Sequence, residues 1–118
     1  MGVTYAIRGP VVEVTGDGAY TTADVAAMLD AATRDPACPL PVLLLIDIRR
    51  SEITHMFRDV VARTALLQAM APRVAFVAAG EAREHLAQVY RTRADLTGIR
   101  VEVFGDVDAA REWLLLPG

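Results

Sequence analysis

The nine residues LPVLLLIDI, positions 40–48, constrain the fold more than any other stretch of the chain. They are apolar on both of the faces that an extended strand presents. A strand that greasy has to be covered on both sides, which places it in the interior of an α/β sheet rather than at a solvent-facing edge. It ends in Asp47 and runs on through Arg49, Arg50 and Ser51, the one serine of the chain.

The flanking segments alternate between the strand period of two and the helix period of 3.6. VTYAIRG (3–9) and PVVEVTG (10–16) are β-branched or aromatic runs divided by Gly9-Pro10, and predict a tight antiparallel pair. After Gly16-Asp17-Gly18, residues 21–35 carry Val25, Leu29 and Ala32 at helical spacing, with Thr21 or Thr22 placed to cap. Pro36, Pro39 and Pro41 force a loop before the greasy strand. A helix is expected over 53–71, with Phe57, Val60, Thr64 and Leu67 on one stripe, ended by Pro72. A second buried strand follows at 73–80. A helix over 81–98 turns Leu86, Val89, Tyr90 and Leu96 inward and closes on Gly98, suited to a left-handed cap. IRVEVFG (99–105) alternates as an edge strand does, and Asp106 caps a closing helix to 116.

The order ββαβαβαβα describes one α/β domain over residues 1–118, with about five strands and about four helices. The N-terminal pair is antiparallel and the central strands are parallel with right-handed crossovers. The order of strands across the sheet, and the faces the helices cover, stay open.

Composition narrows the function classes. With 118 residues and 53% hydrophobic content, the chain can build one core without staples. A net charge of -3 leaves no electrostatic footprint for nucleic acid. All twelve basic residues are arginine, and neither lysine nor asparagine occurs, a bias expected of a GC-rich genome. A single cysteine, Cys38, fits a reducing compartment. MGVTYAIRG has no basic region followed by an apolar core, and no apolar run is long enough to span a bilayer. A cytoplasmic protein without an integral membrane segment is the expectation.

The stretches VVEVTGDGAYTTADVAAMLDAA, PVLLLIDIRR, RVAFVAAGEAREHLAQVY and the ending VEVFGDVDAAREWLLL together resemble the STAS superfamily, and within it the SpoIIAA-like (STAS/SEC14-type) branch of small bacterial proteins. The resemblance covers nearly the whole chain. It implies a compact, non-catalytic α/β domain that acts by protein–protein contact, as anti-sigma-factor antagonists do. Those antagonists carry a phosphorylatable serine in an Asp-Ser-Ser-Gly-like turn after the central strand. Ser51 lies in the corresponding region, four residues after Asp47, but this chain reads Asp47-Ile48-Arg49-Arg50-Ser51-Glu52, with no second serine and no glycine. The SEC14 relationship implies a second possibility, an apolar ligand or lipid.

Several residues follow as candidates. Ser51 is a candidate switch or phosphosite, favoured by a helix N-terminus and nearby arginines; the plainer expectation makes it a helix cap or loop residue. It is not a hydrolase nucleophile, because the G-x-S-x-G elbow is absent. Asp47, Arg49, Arg50, Glu52, Phe57 and Arg58 are candidate partner-binding residues on the turn and helix after the strand. For Asp47 the plainer expectation is an ordinary pairing with an arginine. Gly80 sits at a strand-to-helix turn on the same predicted rim, beyond the carboxyl ends of the strands where α/β sheets bind ligands. Phe57, Tyr90, Trp113 and Gly80 form the candidate pocket for an apolar ligand. Met56 and Met70 could share that pocket, and the 53–70 helix could instead meet a second copy of the chain. His55 and His85, on different predicted helices, lack the spacing of a metal set, and Cys38 lacks a neighbour that would activate its thiol. No catalytic set, metal or cofactor is expected.

Overall fold

The structure, a computed structural model, describes residues 2–52 and 57–117, with the side chains of Phe57 and Arg58 outside that description. Five strands form one sheet in the order β1-β2-β3-β4-β5. They are β1 (Gly2–Arg8), β2 (Val11–Gly18), β3 (Leu43–Ser51), β4 (Arg73–Val77) and β5 (Arg100–Phe104). The helices are α1 (Thr22–Arg34), α2 (Phe57–Met70), α3 (Glu81–Asp95) and α4 (Val107–Leu115).

The β1–β2 pair is antiparallel, with Arg8 opposite Val11 across the two-residue turn Gly9-Pro10. Gly9 has φ 60°, the positive value required at the first central position of a type II′ hairpin turn. All later pairings are parallel. Because each crossover steps to the next strand in the same direction, the right-handed rule puts all three crossover helices on one face. Val12, Leu44, Val74 and Phe76 of the sheet there meet Leu29 of α1, Val60 and Leu67 of α2, and Leu86 and Tyr90 of α3. No strand follows α4, so no crossover rule binds it. It lies on the opposite face, where Ala110 and Leu114 cover Val11, Leu45, Ala75 and Val77.

The greasy strand is therefore covered from both sides, as its sequence requires. Leu44 faces the three-helix layer and Leu45 faces α4, each almost fully buried. The helix ends carry the expected chemistry. Thr21 caps α1 in a capping box with Asp24, and Asp106 caps α4 by accepting from the Ala109 N–H. Gly98 adopts φ 85° after α3.

One boundary departs from expectation and moves a candidate residue. β3 does not end at Ile48 but continues to Ser51. β4 stops pairing at Asp47↔Val77, while β2 follows β3 on to Asp17↔Arg50 and Gly18↔Ser51. Between Thr15 and Asp17 the register shifts, with three steps along β3 against two along β2, so β3 carries one extra residue there. Ser51 is thus the last residue of a strand. Its expected place as a helix cap or loop residue is corrected: the ladder with β2 keeps the backbone extended beyond the apolar run.

Candidate functional site

The outrun of β3 creates two environments a residue apart. Arg49 and Arg50 are exposed, whereas Ser51 is fully buried at 0% exposure. The Ser51 hydroxyl lies 2.7 Å from the Tyr20 hydroxyl, its carbonyl accepts from Arg83 Nε at 2.9 Å, and the next N–H, of Glu52, donates to the Gly18 carbonyl. Gly16 makes this pair of hydroxyls sterically feasible. A Cβ at that position would fall 2.5 Å from the Tyr20 hydroxyl and 2.6 Å from Ser51 Oγ.

The exposed part is a polar cleft of about 490 Å³ lined by Thr15, Asp47, Arg49 and Arg50. Asp47 and Arg49 close on each other in a fork: Arg49 Nε donates to Oδ1 at 3.0 Å, Nη2 donates to Oδ2 at 2.8 Å, and the Arg49 N–H also donates to Oδ1. Burial pushes the Asp47 carboxyl up, but the Arg49 hydrogen bonds and the charges of Arg49 and Arg50 outweigh it and hold the group below the usual carboxylate range. Asp47 makes the pairing with an arginine that its plainer expectation described. Glu52 is exposed at the same end of β3.

Behind the hydroxyl pair, between the sheet and α1, α2 and α3, lies a cavity of about 40 Å³. Its walls are mainly apolar, from Val14, Leu29, Ile46, Ile48, Leu67 and Phe76 among others, and Gly16, Tyr20, Arg63 and Tyr90 complete them. Arg63 is 7% exposed, an arginine held inside the domain. Its Nε donates to the Thr22 hydroxyl at 2.9 Å, and its guanidinium lies 5.3 Å from the centre of the Tyr20 ring. Tyr90 stacks on Phe76 with ring centres 5.0 Å apart. Burial, the largest influence, pushes the Tyr90 phenol far above its ordinary value, although a hydrogen bond with Arg63 pulls the other way.

The candidates chosen from sequence divide accordingly. Asp47, Arg49 and Arg50 come together at the cleft, with Glu52 just past the end of the same strand. Tyr90 lines the cavity, but Trp113 does not share it. Trp113 sits on α4, across the sheet, packed on Phe104 at 5.8 Å with Arg73 over its ring at 4.6 Å. The expected pairing of Tyr90 with Trp113 fails because α4 takes the other face. Gly80, with φ 90°, starts α3 and is not part of the cavity wall. The side chains of Phe57 and Arg58, and His55 and Met56 with them, lie outside the described residues. Among the described residues, no group of three His, Cys, Asp or Glu side chains is placed to hold a metal ion, and no helix is long and apolar enough to cross a membrane.

Three wall residues, Gly16, Tyr20 and Arg63, had not been singled out. The signal for Arg63 was present: it stands three residues after Val60 and four before Leu67, on the buried stripe of α2, where a cation is out of pattern. Gly16 and Tyr20 gave no comparable signal, since their meeting depends on the β2–β3 register.

No family model and no curated protein matches the chain. Among solved structures it is similar to an uncharacterized protein of the DUF3478 family with a SpoIIAA-like fold from Shewanella loihica PV-4. The two are 21% identical, with 96% of this chain and 94% of that one covered and a TM-score of 0.68. The chain therefore has the SpoIIAA-like fold, a single α/β domain with a five-stranded mixed sheet and four helices.

Proposed function

We propose that the chain is a non-catalytic, cytoplasmic STAS-like binding domain that acts by protein–protein contact, in the manner of an anti-sigma-factor antagonist, through the rim where β3 outruns β4. The observation that carries this is the charged edge itself. Asp47 pins the Arg49 side chain in a two-point fork, and Arg50 and Glu52 stand exposed beside it, so a charged surface is organised before any partner arrives. Ser51 does not support a phosphorylation switch, because its hydroxyl is fully buried against Tyr20 and out of a kinase's reach.

The test is crosslinking mass spectrometry on the tagged chain in its own cells, comparing the native protein with an Arg50→Glu, Glu52→Arg charge swap. The expected result is a stoichiometric protein partner crosslinked at the rim and lost by the swap at unchanged thermal stability. Equal retention by both forms would remove the rim from the mechanism.

A second reading is favoured by one observation, the cavity under the three helices. At about 40 Å³ it is far smaller than the roughly 300 Å³ and upward of a drug-sized ligand pocket, which favours a compact guest over an acyl chain.

A further inference from the structure

The sheet ends in two unlike edges. β5 is the shorter, and it carries Arg100 and Glu102, the latter paired with Arg91 of α3. Charges of that kind keep a sheet edge from pairing with another chain. β1 has seven residues, and its stretch GVTYAI has no charge, no proline and no bulge against β2. Its side chains on the three-helix face, Val3, Tyr5 and Ile7, pack against the core yet stay half-exposed. Among the described residues no strand pairs with its outer side.

The hairpin fixes which backbone groups face outward. A two-residue loop makes the pair that closes it, Arg8 and Val11, exchange both of their backbone hydrogen bonds. The pattern alternates along an antiparallel pair. Thr4, Ala6 and Arg8 therefore direct their N–H and C=O groups at β2, and Val3, Tyr5 and Ile7 direct theirs away from the sheet. An incoming strand meets the backbone and the apolar side chains of the same three residues.

We propose that β1 is a dimerisation edge, pairing antiparallel with β1 of a second copy about a twofold axis at Tyr5 and joining the two sheets into one. In that register Tyr5 stands opposite Tyr5 of the second copy, and Val3 of each copy stands opposite Ile7 of the other. Every outward N–H and C=O of the three residues finds a partner, and each apolar side chain meets an apolar one on the same face. A shift by one residue would set outward groups against inward ones, and a shift by two would leave an end of the strand unpaired.

Charge selects the same register. Arg8 of one copy falls beside Gly2 of the other, and Gly2 is paired on its far side with Asp17. By alternation along the strands, Arg8 and Asp17 both point to the α4 side, as Val11 does. Gly2 has no side chain, and two strand spacings are about 10 Å, so the arginine can lie across it to the carboxylate. Arg8 can turn to it: its contact with Glu13 is a long 3.5 Å, its side chain is 62% exposed, and Glu13 keeps the fork from Arg111. A strand that suits this edge needs an apolar row at alternate positions and a cation at its end, and β1 itself has both. Because the twofold reverses the strands, the two charged rims lie at opposite ends of the joined sheet, and the pairing leaves both open to a partner.

The experiment joins light scattering with NMR amide exchange on the full chain. From about 10 μM to about 1 mM the scattering mass is expected to rise from one chain to two. Over that range the Val3, Tyr5 and Ile7 amides should slow in exchange about fivefold, while Thr4, Ala6 and Arg8 stay protected throughout. Tyr5→Pro removes an outward N–H without touching the bonds to β2 and puts a ring where the second strand would lie, so it should stay a single chain at every concentration. If that variant does not fold, the charges serve instead. Arg8→Asp should weaken dimerisation about tenfold, and adding Asp17→Arg should restore it. A single-chain mass at the highest concentration overturns the proposal, as does a dimer in which the Val3, Tyr5 and Ile7 amides exchange as fast as in the single chain. So does a dimer that survives Tyr5→Pro, or a double swap no tighter than Arg8→Asp alone.

Discussion

The two faces of the sheet are covered by different means. On one, three helices bring enough apolar surface to bury a continuous core, with polar ties such as Arg63 to Thr22 and Arg83 to the Ser51 carbonyl added to it. On the other, α4 has nine residues and two fully buried side chains, Ala110 and Leu114. Polar contacts hold it. Arg73, at the start of β4, reaches carbonyls at the helix C-terminus, donating to Trp113 O at 2.6 Å, Leu116 O at 2.7 Å and Leu114 O at 3.3 Å. Asp106 satisfies the other end, and Arg111 forks onto Glu13 of β2 in the middle. A short helix with little to bury thus leans on charge and hydrogen bonding more than the longer helices of the other face do. The price is polar: the Nε of Arg73 is buried without a hydrogen-bond partner among the described residues.

That contrast can be broken in several places. The largest effect is expected at Arg73. Arg73→Met keeps an apolar stem but removes three hydrogen bonds to carbonyls at the end of α4, and should cost about 3 kcal/mol in urea unfolding; a loss below about 1 kcal/mol would mean that apolar contact suffices to hold α4. Next comes the opposite face. Gly16→Ala drives a methyl into the Tyr20–Ser51 pair and should cost about 2 kcal/mol, read by the same measurement. Stability equal to the native protein's would show that the hydroxyl pair yields freely. Glu13→Gln should cost about 1 kcal/mol by loosening Arg111, with the deficit shrinking as salt is raised. A deficit insensitive to salt would point to packing instead of charge.

The smallest effect belongs to the rim. The folded-state pKa of Asp47 is held below its unfolded value of about 3.9. Its contribution to stability is therefore present above about pH 4 and lost as pH falls through the folded-state value. Asp47→Asn should cost less than about 1 kcal/mol at neutral pH, since the Arg49 partner is substantially exposed, and the difference from the native protein should vanish toward pH 2. A difference that persisted at pH 2 would show that the fork is structural rather than ionic.

Much of the fold was legible because local chemistry and global packing agree in it. The two-sided run at 40–48 demanded cover on both sides, Gly9-Pro10 marked a hairpin, and Asp106 announced a helix. The faces of the helices were not legible, since they follow from strand order through the crossover rule, and strand order leaves no trace in a single segment. The end of β3 was misread for a related reason. Arg49, Arg50 and Ser51 look like a loop in isolation, but pairing with β2 keeps them extended. The rim residues were found by their place after a strand. The interior cluster of Gly16, Tyr20, Ser51 and Arg63 joins β2, the segment before α1, β3 and α2, so no spacing within one segment could reveal it.

The strand order also bears on how the chain reaches this state. Every strand lies beside its neighbour in sequence, so the sheet can grow outward from the Gly9-Pro10 hairpin, one helix-and-strand unit at a time. Each addition closes a loop of a few tens of residues, and each doubling of such a loop costs only about 0.6 kcal/mol more in entropy. No strand has to wait for the far end of the chain to be inserted between two others. A parallel sheet is ordinarily slow to assemble, because its pairings are distant in sequence. This one is wound to keep them short, and the emerging chain can zip along the sheet in the order in which it is synthesised.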